Sequence, residues 1–203
     1  EDLATLLAIN GGSLPEAQAQ GYITQVCEAL DYLHSQLPPV IHRDIKPGNI
    51  KVVPPDEGHP LGMVKLVDFG VAKVYDAGTK TTVGARAVTP GYSPYEQYGH
   101  GTTDARSDIY ALGATLYTLL TGQEPVESMQ RVVHDPLIPP RQVNPRITAD
   151  TETVLLKALQ MDPDLRYQSA AEMKSTLQDL QTKRGTPGLR TFIPATWRWV
   201  LLG

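Results

Sequence analysis

The chain has 203 residues, 41% of them hydrophobic and 20% charged, an ordinary balance for a soluble globular domain with a sizeable core. Its net charge of -4, with no basic stripe, argues against nucleic acid as the main partner. A single cysteine excludes an internal disulfide framework.

The first residues, DLATLL, already read as helix, with no initiator Met or signal peptide before them. The expectation is a chain that begins inside a larger protein. Gly11 and Gly12 close this first helix. Ser13-Leu14-Pro15-Glu16 has the Ser-x-x-Glu spacing of a capping box with Pro in the first turn, so a long amphipathic helix is predicted to about Ser35, ended by Pro38 and Pro39. Tyr22, Ile23, Val26, Leu30 and Leu33 share one face of it, and Cys27 reads as a small core residue. Strand-like runs at 50–53 and 63–67 flank the turn-rich PPDEGHPLG and predict a hairpin. The polar, Gly- and Thr-rich stretch 75–87 reads as an exposed loop.

Helical patterns return at SDIYALGATLYTLLTG, TADTETVLLKALQ and SAAEMKSTLQDLQTK. The first is apolar nearly all round, through Ile109, Leu112, Leu116, Leu119 and Leu120, and is predicted to be the buried central helix. The fold class is therefore mainly α (α+β): a helical bundle with a small β-hairpin over 1–182, then a linker and tail over 183–203. The closing WRWVLLG is far shorter than the about 20 apolar residues that cross a bilayer. It reads either as the first turn of a membrane span, with Arg190 and Arg198 on the cytoplasmic side, or as a tail packing its tryptophans on the domain.

The chemistry concentrates in HRDIKPGN, residues 42–49. Asp44 can accept a proton from an attacking hydroxyl. Lys46, two residues on, can neutralise a phosphoryl group. The side-chain oxygen of Asn49 is a hard ligand suited to Mg²⁺, and Pro47-Gly48 turns the chain so that it can reach the same cleft. Further on, VDFG (67–70) ends the second strand-like run, so that Asp68 can present a second hard oxygen while Gly70 lets the backbone turn. Two oxygen ligands beside an Asp base suit metal-assisted phosphoryl transfer.

His-Arg-Asp-x-Lys-x-x-Asn followed by Asp-Phe-Gly closely resembles the eukaryotic-type (Hanks-type) serine/threonine protein kinases. TPGYSPYEQ, SDIYALG and DPDLRYQSA extend the resemblance over about 1–181, with wording most like the bacterial members. It implies a protein-kinase-like C-terminal lobe truncated at about the hinge. The N-terminal lobe, with its Gly-rich loop, strand lysine and helix glutamate, is absent from this chain. It implies that Asp44 orients and deprotonates a substrate hydroxyl, that Lys46 contacts the transferring phosphate of ATP, and that Asn49 and Asp68 hold Mg²⁺, with Mn²⁺ as an alternative. Thr89 would position the acceptor loop toward Asp44 and Lys46, and Lys46 with Thr89 is the serine/threonine pattern. Arg43 would pair with a phosphate on the activation loop, carried by Thr79, Thr81 or Thr82. His42, Phe69 and Gly70 would fix the loops, Glu96 would pair with Arg166, and Asp108 would accept backbone N–H groups of the catalytic loop.

The expected substrates are protein serines and threonines, and the expected place is the cytoplasm, either free or as the cytoplasmic part of a membrane-anchored kinase. This piece by itself is expected to bind ATP poorly. Pro94-Tyr95-Glu96 departs from the usual Ala-Pro-Glu, and Gly48 stands where some members carry an acid that selects basic peptides. Two other readings remain: a pseudokinase scaffold, decided by the upstream lysine, and a small-molecule phosphotransferase, decided by the acceptor.

Overall fold

The computed structural model describes residues 1–57, 62–69, 73–74 (backbone only), 88–99 and 101–183. Helix α1 (Leu3–Ile9) is capped by Asp2, whose carboxylate accepts from the Thr5 N–H. Helix α2 (Glu16–His34) follows the glycine turn. Two short strands come next, β1 (Val40–Ile41) and β2 (Ile50–Val53), separated by the HRDIKPGN segment. Strand β3 (Met63–Leu66) pairs antiparallel with β2, Ile50 opposite Leu66 and Val53 opposite Met63, which is the predicted hairpin. Strand β4 (Lys73–Val74) pairs antiparallel with β1. This second pair has no sequence signal, because two residues are too few to show an alternation.

The remaining helices are α3 (Ala105–Thr121), α4 (Ser128–Arg131), α5 (Pro140–Val143), α6 (Ala149–Ala158) and α7 (Ala170–Lys183). The long ones lie where the patterns placed them. The four-residue helices α4 and α5 were not anticipated, being too short for a helical period to declare itself. Helix α3 is the centre of the molecule, with every residue from Ser107 to Leu120 buried. Its N-terminus is a reciprocal capping box between Asp104 and Ser107. Around it pack α2, α6 and, through α2, α7. Tyr22, Ile23, Val26, Cys27 and Leu30 of α2 form one wall of the core, and Leu155, Met173 and Leu177 another. Burial pushes the Cys27 thiol up to about 12, consistent with a packing role.

One local expectation is corrected. Ser13 does not cap α2; the N-cap is Pro15, with no side-chain bond. Glu16 turns instead to the N-terminus of α6, accepting from the Thr148 N–H at 3.1 Å, the Thr148 hydroxyl at 2.9 Å and the Thr151 hydroxyl. A carboxylate at a neighbouring helix N-terminus meets unsatisfied donors and the positive end of that helix dipole. The tertiary partner thus displaces the local one, and it ties α2 to α6.

The crossing of α3 over α6 depends on Gly113. A Cβ there would lie 2.8 Å from the Ala158 Cβ, closer than two carbons tolerate. Gly113→Val is expected to cost about 1–3 kcal/mol by overpacking, read as a fall of several degrees in Tm by thermal unfolding. An unchanged Tm would show that the crossing has slack.

Gly70, the stretch 75–87 with Thr79, Thr81 and Thr82, and the tail 184–203, with its candidate membrane start, lie outside the described residues. Among the described residues no helix is long and apolar enough to cross a membrane.

Candidate active site

The segment between β1 and β2 is held from below by α3. Asp108, fully buried in the first turn of that helix, accepts the His42 N–H at 2.8 Å and the Arg43 N–H at 2.7 Å. His34, at the end of α2, brings Nε2 to the same carboxylate at 2.8 Å. Arg43 has a φ of 71°, a left-handed conformation that side chains disfavour. Its carbonyl is gripped by the Gln97 amide at 2.7 Å. The strain is thus held from both sides, as expected where a loop must present one side chain accurately.

His42 is buried against that loop. Its Nδ1 accepts the Asp44 N–H at 3.3 Å, so Nε2 is the protonated nitrogen and donates to the Val67 carbonyl at 3.2 Å. Burial holds its pKa below the usual value, against the pull of Asp108 and other carboxylates, so the ring is neutral near pH 7. Its ring meets Phe69 edge-on, with centroids 4.8 Å apart. His42 therefore links the segment carrying Asp44 to the end of β3.

Asp44 is the point of convergence. Its Oδ1 accepts the Thr89 hydroxyl at 2.7 Å, and its Oδ2 accepts Asn49 Nδ2 at 2.8 Å and lies 2.9 Å from Lys46 Nζ. Lys46 also reaches Thr89 Oγ1 at 3.1 Å. Burial raises the carboxyl pKa, but hydrogen bonds from Lys46, Thr89 and Asn49 together with the lysine charge outweigh it. The net result is a pKa below the ordinary Asp value.

Asn49 sits in the short 3₁₀ turn Pro47–Asn49 that Pro47-Gly48 makes possible. Its Nδ2 donates to the Asp44 carbonyl at 2.9 Å as well as to Oδ2. Both are acceptors, so the amide orientation is unambiguous. Among the described residues Oδ1 takes no hydrogen bond. A fixed amide oxygen beside the Asp44 carboxylate is the donor type that Mg²⁺ or Mn²⁺ takes. Asp68, the second candidate ligand, lies exposed past the end of β3 with a φ of 66°. The Val67 N–H donates to the Asn49 carbonyl at 3.0 Å, which anchors the two segments side by side.

Glu96 lies in the 3₁₀ turn Tyr95–Tyr98, and the displaced Pro94 simply precedes that turn. Arg166 NH1 and NH2 lie 2.7 and 3.1 Å from the two Glu96 carboxylate oxygens. Its other donors reach the carbonyls of Gln160, Arg106 and Met161, and its guanidinium lies 5.0 Å over the Tyr110 ring. Ser107 adds a hydroxyl to Glu96 at 2.9 Å. Three partners escaped the sequence reading: His34, Gln97 and Ser107. Only the first had any signal, a lone basic residue in the last turn of α2.

The sequence matches the protein kinase domain family over residues 1–178. It is 39% identical over 186 residues to the serine/threonine-protein kinase PknB of Mycobacterium leprae, covering 87% of this chain and 28% of the relative. Over 185 residues it is 39% identical to the serine/threonine-protein kinase Pkn1 of Myxococcus xanthus, covering 87% and 26%. The structure is similar to the crystal structure of the Mycobacterium tuberculosis PknI kinase domain, with a TM-score of 0.65 and 28% identity, covering 88% of this chain and 61% of that one. The chain thus spans about a quarter of the length of the curated relatives it matches.

Proposed function

The chain belongs to the protein kinase family, and from that premise we propose that it is the large lobe of a bacterial serine/threonine protein kinase. The reaction is transfer of the γ-phosphoryl group of ATP to protein serine and threonine hydroxyls in signalling. The observation that carries this reading is the Thr89 hydroxyl donating to Asp44 at 2.7 Å with Lys46 at 3.1 Å. A side-chain hydroxyl, a carboxylate and an ammonium group are already in the mutual arrangement that an acceptor hydroxyl needs.

In the proposed reaction Asp44 holds the incoming hydroxyl and takes its proton as the oxygen bonds to the γ-phosphorus and the bond to ADP breaks. Lys46 neutralises charge on the transferring group. Thr89 holds the acceptor loop against both. Asn49 and Asp68 would hold the divalent cation, which when bound offsets phosphate charge. Arg43 is proposed to engage a phosphate on the 75–87 segment, with Thr81 or Thr82 as the acceptor. A small nucleotide-binding lobe completes the enzyme, and 1–182 is the large lobe that it covers.

The test is to incubate the full-length protein with Mg–ATP and a Ser/Thr protein acceptor, and in parallel with metabolite alcohols, and to weigh the proteins intact. Phosphate on the protein acceptor is the expected result, with negligible transfer by the 203-residue chain alone. Phosphate found only on metabolites would overturn the reading in favour of a small-molecule phosphotransferase; none anywhere would leave a scaffold.

The depressed pKa of Asp44 sets the pH behaviour. A lowered pKa means that the ionised form persists as pH falls, so the acid limb due to Asp44 is expected below the ordinary value of about 3.9. A kcat/KM profile of the full-length protein checks this. An acid limb near pH 6 that moves in an Asp44 variant would contradict it.

A further inference from the structure

The acceptor loop runs from Thr89 through Pro90 and Gly91 to Tyr92, and the loop after α3 rises beside it. A Cβ placed on Gly91 would lie 3.0 Å from the Pro125 carbonyl and 4.0 Å from Glu124 Oε2. The Tyr92 hydroxyl stands between Thr118 Oγ1, at 3.2 Å, and Glu124 Oε1, at 3.4 Å. Burial pushes that phenol up to about 12, so it stays a donor. Either hydroxyl can donate in the Tyr92–Thr118 pair, the phenol donates to Glu124, and 3.4 Å is long for an O–H···O bond. Glu124 is exposed, and among the described residues it makes no ion pair and no other hydrogen bond. It is therefore an anion with most of its acceptor capacity open, held at the edge of the acceptor loop.

Its neighbours do not compete for that role. Glu127 accepts a 2.6 Å bond from Tyr98, and Asp44 is engaged by Lys46, Thr89 and Asn49. Gly48 offers no side chain beside Asn49, and the space there is open. Thr89 touches Asp44, and a Cβ on Gly91, two residues on, would lie 3.7 Å from the Glu124 Cβ. At roughly 3.3 Å per extended residue, Glu124 is within reach of a long side chain two to four residues from a hydroxyl bound at Asp44.

We infer that Glu124 is a specificity residue, pairing with a lysine or arginine of the acceptor protein a few residues from the phosphorylated serine or threonine. This rests on the kinase reading and names its substrate class: basic acceptor segments. The sequence supplies a consistent example, since the acceptor candidates Thr81 and Thr82 follow Lys80 directly and Arg86 lies close behind. Glu124 supplies the acid that Gly48 lacks.

The test uses the full-length protein and two peptides, GTKTTVGAR and a version with Glu at the positions of Lys80 and Arg86. A protein acceptor serves as the activity control. The basic peptide is expected to be favoured about fivefold in kcat/KM, mainly through KM and less at high salt, as for a partly exposed charge pair. Glu124→Gln should shrink that ratio and Glu124→Lys should invert it. Equal use of the two peptides, or a ratio unmoved in Glu124→Lys, overturns this inference while leaving the kinase reading intact. No phosphate on any protein or peptide overturns both.

Discussion

Asp44→Asn in the full-length protein is expected to lower phosphate transfer by about 10²–10⁴-fold, the usual contribution of a positioned general base. The amide keeps the shape of the carboxylate, so the Thr89 hydroxyl can still be accepted by its oxygen. It removes the proposed proton acceptor and the negative charge that Lys46 faces at 2.9 Å. It also sets an N–H₂ group against a neighbour. If the substituted amide turns its oxygen to Thr89, its nitrogen faces Asn49 Nδ2, which in the native site donates to Asp44 Oδ2 at 2.8 Å. Two donors then oppose each other, and the Asn49 amide loses one of the bonds that orient it. Both the chemistry and the candidate cation ligand are disturbed by one atom change. The fold should survive, because the site is partly exposed and Asp108, not Asp44, anchors the loop backbone. Initial rates by intact mass, with the melting curve as a control, decide the matter. A variant that retains more than about a tenth of the activity with an unchanged melting curve would remove Asp44 from the base role.

Arg166→Ala is expected to cost about 3–5 kcal/mol of stability, because it leaves a buried carboxylate without its counter-charge. Glu96 is 6% exposed and Arg166 2%, so water cannot take the place of the missing guanidinium. Three backbone carbonyls, of Gln160, Arg106 and Met161, lose a donor at the same time. Arg166→Lys should recover little, since an ammonium has three donors and no planar fork to span Glu96 and the carbonyls together. Against a total stability of about 5–15 kcal/mol for a domain, this loss is a large fraction of what holds the chain folded. Urea unfolding of the wild-type, Arg166→Ala and Glu96→Gln/Arg166→Met chains measures it. The uncharged double variant should be the more stable of the two variants, because it strands no charge. A loss below about 1 kcal/mol in Arg166→Ala would mean that the pair is solvated. The effect should also resist salt, unlike that of the exposed Lys157–Glu172 pair.

The ordered motifs of residues 42–49 and 67–70, the hairpin and the long helices were all readable from the chain alone. Their signals are local: turn residues, a two-residue or 3.6-residue apolar period, and side chains of complementary chemistry within one loop. Family membership follows from the same ordered residues. The capping of α2 was misread from an equally local pattern. Glu16 had a better partner at the start of α6, more than a hundred residues away, and no pattern around Ser13 reports that.

The resemblance implied that Thr89 meets Asp44 and that Glu96 meets Arg166, and in the structure these groups lie within hydrogen-bond distance. The tertiary structure alone brought His34 to Asp108 and β1 to β4, each across a span of sequence that carries no period. In each polar case the physical reason is the same. Burial makes an unmatched charge or hydrogen-bonding group costly, so the fold must bring it a partner from wherever packing allows. For Glu124 the structure decided the opposite, leaving an acid exposed beside the acceptor loop where a partner from outside the chain can meet it.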